Sequence, residues 1–206
     1  MIRIDIEKRT GPPGSFGLKV DTSFRLNAVT RISGPSGVGK TTLLKIIAGF
    51  IHPDQGRISS GDEVWFDGEK KHSKKIQERR VGFVFQDYAL FPNMTVEQHL
   101  LYGTDDLTYV NELLQLGEME ALRGRYPRAL SGGQQQRLAI LRALASRPGL
   151  LLMDEPFTAL DAALKTRLIE RLKTLFSVQQ TTVILVSHQD TAFDDESDVF
   201  QLNTTE

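Results

Sequence analysis

A chain of 206 residues, 40% hydrophobic and 25% charged, can build one or at most two cores and is too apolar for a disordered segment. Its formal net charge of -1 gives no overall case for nucleic acid or a membrane surface as partner, and the lack of cysteine excludes disulfides, thiol catalysis and Cys-ligated zinc. No apolar run approaches the roughly 18 residues of a membrane span, and MIRIDIEKRT alternates like a strand where a signal peptide has an apolar centre, so a cytoplasmic location is expected.

Ile2, Ile4 and Ile6 alternate with Arg3, Asp5 and Glu7, which predicts a half-buried strand, and Gly11 to Gly14 turns it toward a second, antiparallel strand from about Leu18 to Leu26. Asn27 to Ser33 reads as a short strand and Thr41 to Phe50 as a buried helix. Between them lies Gly34-Pro35-Ser36-Gly37-Val38-Gly39-Lys40-Thr41, followed by Thr42. This is a P-loop: glycines turn successive N–H groups inward, Lys40 reaches the β/γ-phosphates, and Thr41 offers its hydroxyl to Mg²⁺. The helix opening near Gly39 adds the positive end of its dipole.

His52 to Gly56 is a turn, and Arg57 to Ser60 and Glu63 to Asp67 are two more short strands, with Trp65 a packing residue. The basic run KKHSKKIQERR (Lys70 to Arg80) reads as a solvated connecting loop in preference to a nucleic-acid patch, having no interleaved aromatics beyond His72. Val81 to Phe85 is an apolar strand that runs into Gln86. At the C-terminal end of a parallel strand that carboxamide stands where ligands bind, within reach of a metal or water next to the phosphates.

From Pro92 to about Ser146 the pattern is helical: Val96 to Tyr102, Leu107 to Leu116 and Glu118 to Arg123. We expect residues 92–146 to be an all-helical insertion between core segments 1–91 and 147–206. Leu130-Ser131-Gly132-Gly133-Gln134 then leads into a helix from Gln135 to Ala145. Ser131 is a natural N-cap, and the segment is equally well read as a capped helix entry or as a second anion site.

Leu150 to Met153 is a buried strand ending in Asp154 and Glu155. Two acids there are costly to bury unless they meet a cation or a water to activate. With a P-loop upstream, Asp154 is the expected Mg²⁺ partner through its water shell, and Glu155 points to where an attacking water would stand. Thr158 to Asp161 starts a long helix to about Ser177, with Leu164, Leu168, Leu172 and Leu175 on its buried face. Thr181 to Ser187 is a core strand with His188 at its end, and Asp198 to Leu202 is the last strand. His52, His72 and His99 read as turn, loop and helix-surface residues.

Taken together the chain resembles the nucleotide-binding subunit of an ATP-binding cassette transporter. The matching segments are the Walker A loop Gly34 to Thr41, the Q-loop glutamine Gln86 in VFQDYALFP, the signature Leu130 to Gln134, the Walker B run Leu150 to Asp154 with Glu155, the D-loop Thr158 to Asp161, and the switch histidine His188. The resemblance implies an α/β P-loop NTPase core with a mainly parallel sheet, an N-terminal antiparallel β subdomain and the helical insertion. It implies ATP and Mg²⁺ as cofactors, with Thr41, Gln86 and Asp154 at the metal and with Glu155, His188, Gln86 and Lys40 catalytic. It also implies a second copy arranged head to tail, so that Ser131, Gly132, Gly133, Gln134 and Asp161 of one chain meet the nucleotide on the other's Gly34 to Thr42.

RRVGFVFQDYALFPNMTV and DEPFTALD are similar to the import branch, particularly subunits for molybdate and sulfate. Partners are then transmembrane permease subunits, with a solute-binding protein indirectly and no nucleic acid, and the chain sits on the inner face of the membrane through its permease. The family stacks adenine on an aromatic upstream of the P-loop, for which Phe16 is favoured over Phe24. Tyr88 to Pro92 is an apolar segment at the seam between sheet and insertion, to be read as a docking surface or as a pin holding the insertion. The alternatives are a soluble cassette protein acting on ribosomes or DNA, which usually has two cassettes or a coiled coil, and a small-metabolite kinase, which would leave LSGGQ unexplained.

Overall fold

The alternation of isoleucines at the N-terminus does build a strand with one buried face. In the computed structural model, which describes residues 1–9, 17–187, 193 and 198–203, β1 (Ile2–Arg9) buries Ile2, Ile4 and Ile6 and exposes Arg3, Asp5 and Glu7. It pairs antiparallel with β2 (Gly17–Phe24) on one side and β4 (Gln55–Ser60) on the other. With β5 (Glu63–Asp67) and β6 (His72–Ser73) they form a sheet of order β2-β1-β4-β5-β6.

The second sheet is parallel and has the order β10-β3-β9-β8-β7, from β3 (Val29–Ser33), β7 (Val81–Val84), β8 (Leu150–Asp154), β9 (Thr182–Val186) and β10 (Asp198–Gln201). All five residues of β8 and of β9 are buried, the pattern of central strands covered on both faces. Side chains that alternate along β8 go to different cores. Leu150 and Leu152 join the antiparallel sheet and α1 (Lys40–Ala48), while Leu151 and Met153 join the helices on the other face. The α/β architecture with an antiparallel β part and a helical segment therefore follows the expectation.

Between β7 and β8 stand α2 (Val96–Leu101), α3 (Leu107–Leu116) and α4 (Gly132–Ala145). Asp106 caps α3 and Thr95 forms a capping box with Gln98, so these starts are written locally in the sequence. The expected helix at Glu118 to Arg123 shrinks to one 3-10 turn, Glu120–Leu122, because Glu118 takes a left-handed φ of 53° that ends regular helix. Helix α5 (Ala162–Gln179) starts one residue past Asp161, whose carboxylate accepts the Leu164 N–H as its cap. Its core face is Leu168, Ile169, Leu172 and Phe176, with Leu164 and Leu175 only half-buried.

The basic run is not wholly solvated. Arg79 is buried, and its guanidinium donates to the Ile46 and Ile47 carbonyls at the end of α1 (3.2 and 2.8 Å) and to Trp65 O (3.2 Å). It thus satisfies carbonyls that a helix terminus leaves open and ties the P-loop helix to the antiparallel sheet. A Cβ at Gly49 would come within 2.8 Å of that guanidinium, and Gly49 also takes φ +92°, so glycine is required there twice over. Arg79→Ala should lower the unfolding free energy by about 2–4 kcal/mol, since several buried acceptors lose one donor group. Urea denaturation followed by circular dichroism checks this, and a change under about 1 kcal/mol would show the guanidinium to be dispensable.

Candidate functional site

Parallel pairing puts the ends of four strands on one edge. Ile32 lies opposite Val186, Val186 opposite Asp154, and Met153 opposite Val84, so the P-loop, Asp154, Glu155 and the turn carrying Gln86 all leave the sheet from the same side. This is where open parallel α/β sheets bind their ligands.

Between β3 and α1 the loop runs through Gly34, Gly37 (φ +80°) and Gly39 (φ +101°). A Cβ on Gly34 would sit 2.3 Å from Leu202 O, so the loop passes too close to the end of the last strand for any side chain. Lys40 is buried, and its Nζ donates to the Gly34 and Pro35 carbonyls, both at 2.8 Å. Its ammonium therefore lies across the loop. Pro35, Ser36 and Gly37 are exposed and Val38 is buried as the loop's anchor. Thr41 and Thr42 start α1 half-buried.

Asp154 is 3% exposed. Burial pushes its carboxyl above the ordinary range; the neighbouring Glu155 pushes the same way, while the Thr41 side chain and the charges of Lys45 and Lys40 pull it back. Walker A and Walker B residues are thus already in contact. Glu155 has φ +50°, a left-handed conformation that costs a non-glycine residue about 1–2 kcal/mol. Its N–H donates to Val186 O (3.0 Å), and its carbonyl accepts from Gln136 Nε2 (3.2 Å). The kinked backbone turns Glu155 off the line of the strand that carries Asp154. Gln86 is exposed in the turn two residues past β7.

Ser131 is the N-cap of α4, accepting the Gln134 N–H (3.3 Å), while the Gln134 side chain accepts the Ser131 N–H (2.9 Å). The capped-helix reading holds, and Ser131 and Gly132 are exposed, where an anion site would need them. Phe16 and His188 lie outside the described residues. Phe24 is buried and packs edge-on against Phe200 (5.6 Å), a core position.

Two polar groups belong to the seam, and the sequence reading placed one of them, His99, elsewhere. His99 is wholly buried, not a helix-surface residue: its Nε2 accepts the Phe91 N–H (2.9 Å) and its Nδ1 lies 2.7 Å from Thr95 O. A carbonyl can only accept, so the proton sits on Nδ1 and the ring is neutral. Arg142 of α4 donates to the Tyr88 and Ala89 carbonyls and lies 5.5 Å over the Phe91 ring. Leu90 packs on the helical core, as a pin holding the insertion would, and Tyr88 does the same; Phe91, the other residue that the pinning reading needs, and Tyr102, 5.3 Å apart, stay 38% and 69% exposed.

These features define the class: a P-loop nucleoside-triphosphate site with a Walker B acid, set in an ATP-binding cassette fold. The family model described as "ABC transporter" matches residues 18–158, and the chain belongs to that family. The chain is 42% identical over 192 residues to a probable sulfate/thiosulfate import ATP-binding protein of Chlorella vulgaris, covering 89% of this chain and 78% of that protein. It is 41% identical to a molybdenum import ATP-binding protein of Vibrio parahaemolyticus (85% of this chain, 48% of that protein). It is 43% identical to a sulfate/thiosulfate import ATP-binding protein of Caulobacter vibrioides (89% and 56%). The chain thus spans about half the length of the last two. Among solved structures, a dimeric ATP-binding cassette in a post-hydrolysis state with ADP and Pi superposes with a TM-score of 0.83 at 27% identity, over 100% of this chain and 97% of that one. No helix among the described residues is long and apolar enough to cross a membrane.

Burial holds the His99 imidazole below its ordinary pKa of 6.5, with Arg142 lowering it further against the Thr95 carbonyl. The unfolded chain therefore takes up this proton first as pH falls, so the stability that His99 contributes is complete above about pH 6.5 and declines below it. Urea midpoints between pH 7.5 and 5.5 should fall more steeply for the wild type than for His99→Gln. Parallel profiles would mean that the histidine is not the titrating group.

Proposed function

We propose that this chain is the ATP-hydrolysing subunit of an importer for a small solute or anion, acting through separate permease subunits. Residues 1–206 form one cassette, with 92–146 as its helical arm on the core of 1–91 and 147–206. The observation that carries the reading is the single sheet edge on which Lys40, Thr41, Asp154 and Glu155 converge. The import relatives support the direction of transport and the solute class, and the dimeric cassette structures support pairing with a second copy.

In this reading ATP lies along Gly34 to Thr42, with the N–H groups of the loop and of the α1 N-terminus directed at its phosphates. Phe16 takes the adenine. Thr41, Asp154 and Gln86 offer hard oxygen donors suited to Mg²⁺, and a carboxyl as buried as that of Asp154 fits such an ion. When bound, Mg²⁺ supplies charge neutralisation at the β/γ-phosphates. Lys40 exchanges its two loop carbonyls for phosphate oxygens. Glu155 accepts a proton from the attacking water, and His188 and Gln86 hold the γ-phosphate side. Ser131 and Gly133 of the second copy close the site, with Gln134 and Asp161 at the same seam. The chain then works at the inner face of the membrane, held there by its permease.

Glu155→Gln should lose at least about 10²-fold in turnover yet keep ATP binding, because an amide cannot take the proton. ATP should trap the variant as a dimer on a sizing column. Wild-type turnover, or no ATP-dependent change in size, would refute the assignment.

Docking is best placed on Phe91 and Tyr102, since Tyr88 and Leu90 are partly committed to the core. Phe91→Glu and Tyr102→Glu should reduce copurification with membrane subunits from solubilised native membranes, with ATP affinity of the isolated chain kept within about twofold. Undiminished copurification and transport would move the docking surface elsewhere on residues 92–130.

A further inference from the structure

Three consecutive glutamines follow the signature glycines, and the third has nothing to do with capping. Gln136 is 1% exposed and makes three hydrogen bonds to the segment that follows β8: its Nε2 donates to Glu155 O (3.2 Å) and to Thr158 Oγ1 (3.3 Å), and its Oε1 accepts the Ala159 N–H (2.9 Å). The Ala159 N–H fixes which end of the carboxamide is oxygen, so the opposite end is the one that must donate to Glu155. Thr158 Oγ1 also reaches Glu155 O (3.4 Å). The carbonyl of a residue held at φ +50° is thus gripped from two sides while its N–H is held by Val186.

A second, independent contact joins the same two elements. A Cβ on Gly133 would stand 2.9 Å from Ala159 O and 3.3 Å from Leu160 Cδ2. The glycine therefore lets the first turn of α4 lie directly against the segment after Glu155 within one chain, whatever it does for a second copy. Helix α4 and residues 155–160 are locked together at two points a helical turn apart.

We infer that Gln136 is a positioning residue for hydrolysis: it sets the backbone of Glu155 and so the place of its carboxylate relative to the γ-phosphate, and it registers that carboxylate to the signature end of the same helix. The inference rests on the reading of Glu155 as the base. A misplacement of about 1 Å in such a group costs on the order of 10²-fold in rate while leaving substrate contacts intact. The hydrogen bonds of Gln136 go to Glu155, Thr158 and Ala159 and not to the P-loop, so its removal should appear in kcat and not in ATP affinity.

The test uses the full chain purified with its copurifying membrane subunits and compares wild type, Gln136→Met, Gln136→Glu and Glu155→Gln. Methionine keeps the volume and removes all three bonds. Glutamate keeps the acceptor for Ala159 N–H and sets a carboxylate oxygen against Glu155 O, so it remains informative should the methionine variant fail to fold. Both Gln136 variants should lose at least about tenfold in kcat, with KM for ATP and the affinity from direct ATP titration within about twofold of wild type. Wild-type kcat in either variant, or a loss that lies in KM, overturns the positioning role while Glu155→Gln is still inactive. Should Glu155→Gln itself turn over normally, the reading of the base falls and this inference with it, a result distinguishable from the first.

Discussion

The contact on which the rest depends is the approach of the start of α1 to the end of β8, which sets Thr41 and the charges of Lys40 and Lys45 against the buried carboxyl of Asp154. A carboxylate with 3% exposure is expensive unless cations or donors face it. Here Thr41, Lys40 and Lys45 come from a helix that begins at the sheet edge, and Asp154 comes from a strand two places away in the same sheet. Their meeting requires parallel strands in register, a loop short of side chains at Gly34, and a helix held at its far end. Arg79 supplies the last of these, some forty residues along the chain, by filling the carbonyl end of α1. What looks like a local motif is therefore supported from both sheets.

Much of this was legible in the residues. Alternation at Ile2, Ile4 and Ile6, continuous apolar runs in β8 and β9, and caps at Thr95, Asp106, Ser131 and Asp161 are local signals, and each element formed where its signal stood. The candidate site was legible as a proposal because glycines, lysine and paired acids have few other reasons to occur at strand ends, and the parallel pairing brings those strand ends to one edge. The polar groups that work from inside were not. His99 reads as a polar residue on a helix, and only the folded seam, with the Phe91 N–H on its Nε2 and the Phe91 ring stacked on it, makes it a buried acceptor. Arg79 reads as one more charge in a basic run.

The glutamine run shows the limit most clearly. Gln134 completes a capping box, Gln135 donates to Pro127 O and Leu130 O, and Gln136 grips the segment after β8. Three identical side chains in a row carry three different sets of partners, decided by the 100° turn between successive helical positions. The capping box has a sequence signature. The other two roles depend on which carbonyls a distant segment presents, and no spacing within the run encodes that.

Helix α4 has 14 residues and is buried along most of its length. At about 1.5 Å per residue it is a rod roughly 21 Å long. Its first turn carries Ser131 and Gly133; its last carries Arg142, whose guanidinium holds the Tyr88 and Ala89 carbonyls. A tilt of only about 5° about one end displaces the other by about 2 Å, more than a hydrogen bond tolerates. The signature end and the seam segment are thus the two ends of one rod, and a small tilt about either end is enough to break the hydrogen bonds made at the other.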